Sequence, residues 1–382
     1  MASELRLFIS AAEPSADMHA ASLIKAVHQL APHATFTGIA GPRMQESGCR
    51  GIFDMTAHAA MLTSALGSAR QAWQMMDAAT SFLQSQPWDA VIVVDSPTLH
   101  LPLAERANAL GIPTLYYIAP QLWAWGRNRI YKLRHSVKQV AAILPFEEAF
   151  FRSEGVRATF VGHPLVDSLA AEPPDPAIVD TLRSHGEPMI GLLPGSRKHV
   201  VEQVLPGQLE VAAAIRAAFP HARFAVSVAG KRVAPLVAKH VERSGLSVEM
   251  LRDAHRSIVA ASDLALVASG TTTLEVAFLN TPMIVMYNAS KWMYRLIGQW
   301  LVRIPHYSLP NILGGRKIVP EFMPYYTTTE PIASTAIALL RNPEQLENMK
   351  ANLAEITAPL HGRSASTNTA RMLLEMCAHH GH

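Results

Sequence analysis

A chain of 382 residues is long for one domain and of ordinary length for two. Its composition, 49% hydrophobic and 16% charged, excludes a disordered chain, and a net charge of +3 without a basic run or aromatic-basic module argues against nucleic acid as a partner. The two cysteines, Cys49 and Cys377, stand far apart in no ligand motif, which excludes a disulfide framework and leaves no zinc site to assign.

The chain opens with MASELRLFISAAEPSAD, whose apolar run is too short for a secretory signal, and no apolar stretch approaches membrane-spanning length. A cytoplasmic protein is expected. Leu5–Ser10 reads as a strand, AAEPSAD as a loop, and the next stretch as a helix with Leu23, Ile24, Val27 and Leu30 on its apolar face. Asp17 is placed to cap that helix, while Glu13 and Ser15 fall at the carboxyl end of the strand, the edge where open α/β sheets bind ligands. Capping and binding both fit these polar residues. Thr35–Ile39 is the next strand, and a long helix follows with Met61, Leu62, Leu66, Ala69, Trp73 and Met76 on one side. Ala90–Val94 is a continuous apolar run of the kind a central parallel strand needs, and Asp95 comes directly after it, either as a cap or as a general base in a ligand crevice.

Ile112–Ile118 supplies another strand and runs into APQLWAWGRNRIYKLRHS. There Trp123 and Trp125 stand beside Arg127, Arg129, Lys132 and Arg134, which fits an aromatic pair under a solvated basic helix or a surface for phosphate or an anionic lipid head. Val137–Ile143, Pro145–Phe151 and Ala158–Val161 continue the alternation, and GHPLVD with the Pro-rich AAEPPDP reads as a linker.

A second series begins at Met189–Leu193 and ends in PGSR, where the Gly195-Ser196 turn opens a helix and leaves Arg197 either as an inert exposed arginine at the helix start or as a clamp for a pyrophosphate. Phe224–Ala229, Ser247–Leu251, Leu264–Ala268 and Met283–Tyr287 add further strands. After Leu264–Ala268 the chain repeats the arrangement: Ser269, Gly270 and Thr271 turn into a helix over Thr272–Leu279, either as a ligand-free junction whose glycine serves the turn or as a site that offers backbone N–H groups to a phosphate. Glu275 lies one turn further in, within reach of a sugar hydroxyl. Two βα series joined by a Pro-rich linker predict two parallel-sheet lobes with a ligand cleft between them. Beyond Tyr287, helical spacing puts Lys291, Arg295, Gln299 and Arg303 in one row beside Trp292, Leu296 and Trp300, the pattern of an amphipathic core helix or of a membrane-interface helix. Arg363–His382 is a last helical pattern with Met372, Leu373 and Met376.

Several longer motifs in order carry a family resemblance: GIAGPRMQESG at 38–48, VDSP around Asp95, PQLWAWGRNR at 120–129, LPFEEAFF at 144–151, VGHPLVD at 161–167, LLPGSR at 192–197, ASGTTTLE at 268–275 and SLPNILGGR at 308–316. The chain resembles the lipid-A-disaccharide synthases, inverting glycosyltransferases of GT-B architecture, over nearly its whole length. The resemblance implies an α/β fold of two Rossmann-like lobes: residues 1–170 for acceptor and lipid, 171–360 for the UDP-sugar, and 361–382 as a helix packing back on the first lobe. It implies a UDP-2,3-diacylglucosamine donor, a 2,3-diacylglucosamine 1-phosphate acceptor, and UDP plus a β-1,6-linked disaccharide phosphate as products. Asp95 is then the base, Arg197 and Ser269–Thr271 surround the diphosphate, Glu275 meets the ribose, Asn311 lies near the donor, and Glu13, Ser15 and Asp17 belong to the substrate-binding loop. Once the substrate is a lipid, Trp123, Trp125, Lys291, Trp292, Arg295, Trp300 and Arg303 become candidates for peripheral contact with the cytoplasmic face of the inner membrane. A homodimer stays open.

No D-x-D triplet occurs, so no carboxylate platform for a diphosphate-bound metal is expected, and no cofactor is implied. Two departures stand out. The family's first loop, G-E-x-S-G-D, is here Ala12-Glu13-Pro14-Ser15-Ala16-Asp17, and a methyl at either lost glycine is costly if the position needs a positive φ or a close backbone approach. The MLTSAL stretch at 61–66 also lacks an expected glutamate. These departures keep two alternatives open: a related GT-B enzyme acting on another UDP-sugar, such as a 2-epimerase, and a weakened paralogue that binds nucleotide-sugar or lipid without turnover.

Overall fold

All-apolar runs bounded by polar loops become strands buried on both faces, and here they assemble into two wholly parallel sheets. The structure, a computed structural model, describes residues 5–53, 76–124, 126–184, 187–288 and 306–379. The chain divides into two compact units: Met1–Ala170 with Leu360–His382, and Ala171–Pro359.

The first unit holds β1 (Arg6–Ala11), β2 (Thr35–Ile39), β3 (Cys49–Phe53), β4 (Ala90–Val94), β5 (Thr114–Tyr117), β6 (Gln139–Ala142) and β7 (Ala158–Phe160), in the order β3-β2-β1-β4-β5-β6-β7. The order reverses between β1 and β4, so the crevice outside their carboxyl ends is the natural ligand edge. On one face of this sheet the Pro14–Leu30 helix packs against the C-terminal Ala365–Ala378 helix. Ser364 caps the latter by accepting from the Thr367 N–H at 3.2 Å, and Leu373 and Met376 bury their side chains, each contributing about 1.5–3 kcal/mol. The other face is covered by the Pro97–Ala109 helix and by helical residues 76–84. Met76 is buried there, while Met61 through Trp73 of the expected long helix, with MLTSAL, lie outside the described residues.

The second unit repeats the plan with β8 (Met189–Leu193), β9 (Arg223–Val228), β10 (Glu249–Arg252), β11 (Leu264–Ala268), β12 (Met283–Met286) and β13 (Glu321–Phe322), ordered β10-β9-β8-β11-β12-β13. Its reversal falls between β8 and β11, paired in register from Ile190 with Leu264 to Leu193 with Val267. Two strands escape the hydrophobic pattern: β3 is an edge strand reading CRGIF, and β13 is two residues long.

Candidate active site

Each unit places its polar sequence candidates just past the two strands that flank its switch point. In the first, Glu13 follows β1 and Asp95 follows β4. Asp95 adopts φ 59° and Ser96 φ 44°, both in the left-handed region, and Ile118, just past β5, has φ 59°. Such a conformation costs a non-glycine residue on the order of 1–3 kcal/mol and persists only where the surroundings fix it. Here they do. The Asp95 carbonyl accepts from His100 Nδ1 and from the Tyr116 hydroxyl, each at 2.7 Å, while the Asp95 N–H donates to the Tyr117 carbonyl at 3.1 Å. A carbonyl only accepts, so His100 carries its proton on Nδ1, and Nε2 accepts from the Ser10 hydroxyl at 2.9 Å. Burial lowers the His100 pKa to about 4, so the ring is neutral at physiological pH. Burial, joined by the nearby charge of Glu13, pushes the Asp95 carboxyl above the ordinary aspartate range against a hydrogen bond from the Ser96 backbone. The product is a half-buried, strengthened base with a fixed backbone.

The loop after β1 differs from its expected role. The helix begins at Pro14 with Glu13 at its N-cap, so Asp17 is inside the first turn and does not cap it. Instead Asp17 is buried and accepts from the N–H groups of Arg43 (3.0 Å) and Met44 (3.1 Å), capping the short Pro42–Glu46 helix. This contact explains the glycine in GIAGPRM: a Cβ at Gly41 would lie 2.5 Å from Asp17 Cγ. Asp17 is therefore a structural residue, whereas Glu13 and Ser15 are exposed at the crevice edge. The alanines fit without strain. Ala12 and Ala16 are absent from the positive-φ positions, their methyls are buried in the cores on either face of the sheet, and Ala16 lies within the helix, where alanine is favoured over glycine by about 1 kcal/mol.

In the second unit PGSR follows β8 and SGTT follows β11. Gly195 has φ 93° and Gly270 φ 145°, so both turns use the conformation that glycine adopts without cost. The loops are neighbours, since a Cβ on Gly195 would come 3.8 Å from Ala268 Cβ. Arg197 is exposed at the N-cap of the Lys198–Ala218 helix, and Gly270 and Thr271 are exposed beside it. This is an exposed cation, a helix N-terminus and a glycine turn at one sheet edge, a set suited to a diphosphate. Glu275 is buried on the Thr272–Phe278 helix and its Oε1 accepts from Arg256 Nε (2.7 Å) and His255 Nε2 (3.1 Å). Burial opposes its ionisation, but those two partners outweigh it and hold the carboxyl below the ordinary glutamate range. His255 and Arg256 carried no signal in the sequence pattern.

Asn311 corrects another expectation. It is fully buried, its Nδ2 donates to the Val319 carbonyl (2.9 Å) and Glu321 Oε1 (2.5 Å), and its Oδ1 accepts from the N–H groups of Ile318 (2.6 Å) and Val319 (2.9 Å). With all four of its hydrogen-bonding positions filled, it clamps the Leu309–Gly314 helix to the stretch at 318–321 and has nothing left for a donor sugar.

Trp123 likewise belongs to the fold. Its ring meets Phe146 edge-on at 5.0 Å, and its Nε1 donates to Glu147 Oε1 at 3.0 Å. Glu147 Oε2 accepts from the Leu144 (3.0 Å) and Ile143 (3.1 Å) N–H groups at the start of the Pro145–Ser153 helix. Buried Glu147 thus ties the PQLW loop to that helix, a role invisible in the spacing alone. Of the other residues considered for membrane contact, Trp125, Lys291, Trp292, Arg295, Trp300 and Arg303 lie outside the described residues.

A family model described as lipid-A-disaccharide synthetase matches residues 7–375. A lipid-A-disaccharide synthase of Geobacter metallireducens is 32% identical over 97% of this chain and 97% of its own length. Another of that name, from Nitrosococcus oceani, is 34% identical over 96% of this chain and 95% of its own. Among solved structures, UDP-GlcNAc 2-epimerase from Neisseria meningitidis bound to UDP-GlcNAc is similar with a TM-score of 0.61 at 14% identity, across 97% of this chain and 99% of that one. That likeness is one of fold, the GT-B fold of glycosyltransferases and epimerases.

Proposed function

The chain belongs to the lipid-A-disaccharide synthase family, and on that premise we propose that it joins UDP-2,3-diacylglucosamine to 2,3-diacylglucosamine 1-phosphate, releasing UDP. It is a glycosyltransferase of lipid A biosynthesis. The synthase relatives match at 32% and 34% identity over almost their full lengths, whereas the epimerase likeness stands at 14% and concerns fold alone, so the epimerase reading is set aside.

The observation that carries the mechanism is the Asp95 carboxylate, raised in pKa and fixed in a left-handed turn. Asp95 takes the proton of the acceptor 6-hydroxyl as that oxygen forms a bond to the donor anomeric carbon. The bond from that carbon to the UDP oxygen breaks on the opposite face, and the configuration inverts. A carboxyl above its usual range is a stronger base than an ordinary aspartate. In this reading the first unit handles the acceptor, with Glu13 and Ser15 at the rim, and the second holds UDP. Arg197 and the Ser269–Thr271 turn neutralise the charge that develops on the diphosphate, and Glu275, fixed by His255 and Arg256, faces the ribose. Because these groups supply the positive charge and no D-x-D triplet is present, turnover needs no added divalent metal. Both substrates carry acyl chains, so the enzyme works in peripheral contact with the membrane surface; among the described residues no helix is long and apolar enough to cross one.

Incubation with both diacylated substrates tests the reading. Disaccharide phosphate and UDP in equal amounts are expected, with the rate unchanged by a chelator. Sugar isomerisation without disaccharide overturns the transfer, and a chelator block relieved by magnesium overturns the metal-free step.

A further inference from the structure

At the edge of the first sheet opposite Asp95, the residues that enter β5, β6 and β7 enclose a concavity of about 450 Å³. Arg134, Lys138 and Arg157 line it, no Asp or Glu does, and none of the three cations has an ion-pair partner among the described residues. Other cations nearby are matched: Arg127 pairs with Glu154, Lys132 with Glu105 at 3.1 Å, and Arg152 with Glu148 at 2.8 Å. Gly155, with φ 75°, brings the backbone close under the Arg134 stem, since a Cβ there would lie 3.2 Å from Arg134 Cδ. Thr114, which also lines it, is 1% exposed, and its hydroxyl is buried without a hydrogen-bond partner among the described residues, where an unmet donor is costly.

We propose that this concavity is a binding site for a phosphate group, held by Arg134, Lys138 and Arg157 with the Thr114 hydroxyl donating from below. Like charges gathered around one hollow repel one another until an anion joins them, and guanidinium groups match phosphate oxygens in pairs. The buried hydroxyl separates this site from a merely basic surface: Thr114 lines the hollow and carries a donor that no described residue meets. The group has two sources of one chemistry, a soluble phosphate or the headgroup of an acidic phospholipid. Its place at the amino ends of the strands makes it separate from the transfer site.

The test uses the full chain. Calorimetric titration with inorganic phosphate is run beside cosedimentation with phosphatidylcholine vesicles containing phosphatidylglycerol, for wild type, for Arg134→Gln/Lys138→Gln/Arg157→Gln, and for a control triple, Arg232→Gln/Lys239→Gln/Arg243→Gln. The control removes the same charge from exposed positions of the second unit. Saturable phosphate binding that weakens ~10-fold or more in the first triple but not in the control supports the site with a soluble ligand. Vesicle binding that falls by a similar factor in the first triple alone, without saturable phosphate binding, supports it with a lipid headgroup. Equal losses in both triples, or no binding in either assay, overturn it. The Thr114→Val variant keeps the side-chain volume, and it is expected to weaken whichever binding is seen several-fold while leaving the thermal midpoint in place; unchanged binding overturns the role of the hydroxyl. All variants should retain wild-type transfer on detergent-dispersed substrates, since none touches the proposed transfer residues.

Discussion

The two switch points share a topology and solve their turns in opposite ways. Past β4 the first unit forces Asp95 and Ser96 into the left-handed region, whereas past β8 and β11 the second unit puts Gly195 and Gly270 where a positive φ is needed. The difference follows from what each edge presents. A base must keep its side chain, so glycine is excluded and the strain is held by Ser10, His100 and Tyr116, all buried beneath the turn. The diphosphate proposed for the second edge is met by backbone N–H groups and one arginine, so glycine is preferred; beneath those turns Gln208 Nε2 bridges the carbonyls of Leu193 (3.3 Å) and Leu266 (2.9 Å), and the buried Thr273 hydroxyl donates to the Gly270 carbonyl at 2.8 Å. In the proposed function, rigid placement of one carboxylate is the work of the first edge and open access to main chain is the work of the second.

The largest effect that tests this division comes from Asp95→Asn. Asparagine tolerates the left-handed region nearly as well as aspartate, so the fold is expected to hold while the base is lost. Transfer should drop by ~10²–10⁴-fold, with UDP affinity, measured by calorimetry, changed by less than about 2-fold. Near-normal turnover would remove Asp95 from the chemistry. In wild type the raised carboxyl must be deprotonated to act, so the acid limb of kcat/KM should fall at a higher pH than an ordinary aspartate gives, and the Asn variant should lose that limb.

Next in size is Arg197→Gln. Removing a charged donor from the diphosphate should weaken UDP binding by ~10–100-fold and slow transfer with it, unlike the change at Asp95. Gly270→Ala asks the same question of the backbone: nothing lies within 4 Å of the added methyl, so any loss comes from the φ of 145° and not from a clash. A loss of roughly 5-fold in UDP affinity is expected, matching about 1 kcal/mol of strain. If both variants bind UDP normally, the second edge is not the nucleotide edge.

How much of this was legible depends on whether the cause is local. Ala90–Val94, Met189–Leu193 and Leu264–Ala268 can be read to the residue, because a strand buried on both faces is apolar throughout and its neighbours are not. Cys49–Phe53 cannot, because an edge strand is half exposed and tolerates an arginine and a glycine. The place of Asp95 is legible as a carboxylate after a central strand. The support beneath it is not, since Ser10 and His100 meet across 90 positions and nothing in the spacing marks them as partners. Asn311 shows the limit from the other side. An asparagine between a proline and a Gly-Gly pair looks the same whether it meets a ligand or its own chain, and only the four filled hydrogen bonds tell which. Asp17 is misread for a similar reason: the donors it accepts from belong to a helix 26 and 27 positions away.

The smallest expected effect concerns the loop that borders the strained edge. Burial pushes the Glu147 carboxyl from 4.5 up to about 7, against the hydrogen bonds from Trp123, Leu144 and Ile143 that favour its ionised form. Its folded pKa therefore lies above its unfolded one, so the folded chain binds this proton more tightly. The stabilisation from that proton is complete below pH 4.5 and is lost as the pH rises through about 7. Glu147→Gln carries no titrating group. Urea denaturation of both proteins from pH 5 to pH 8 should therefore give a stability difference that drifts, on the order of 1 kcal/mol, in the direction of wild-type loss as the pH rises, and then levels off. The fluorescence of Trp123 should titrate over the same range in wild type and not in the variant. A difference that is flat with pH would mean that the three N–H donors keep Glu147 ionised throughout. UDP binding, which we propose for the second unit, should show no step from this group, so a step shared by both measurements would tell against assigning the two edges separate tasks.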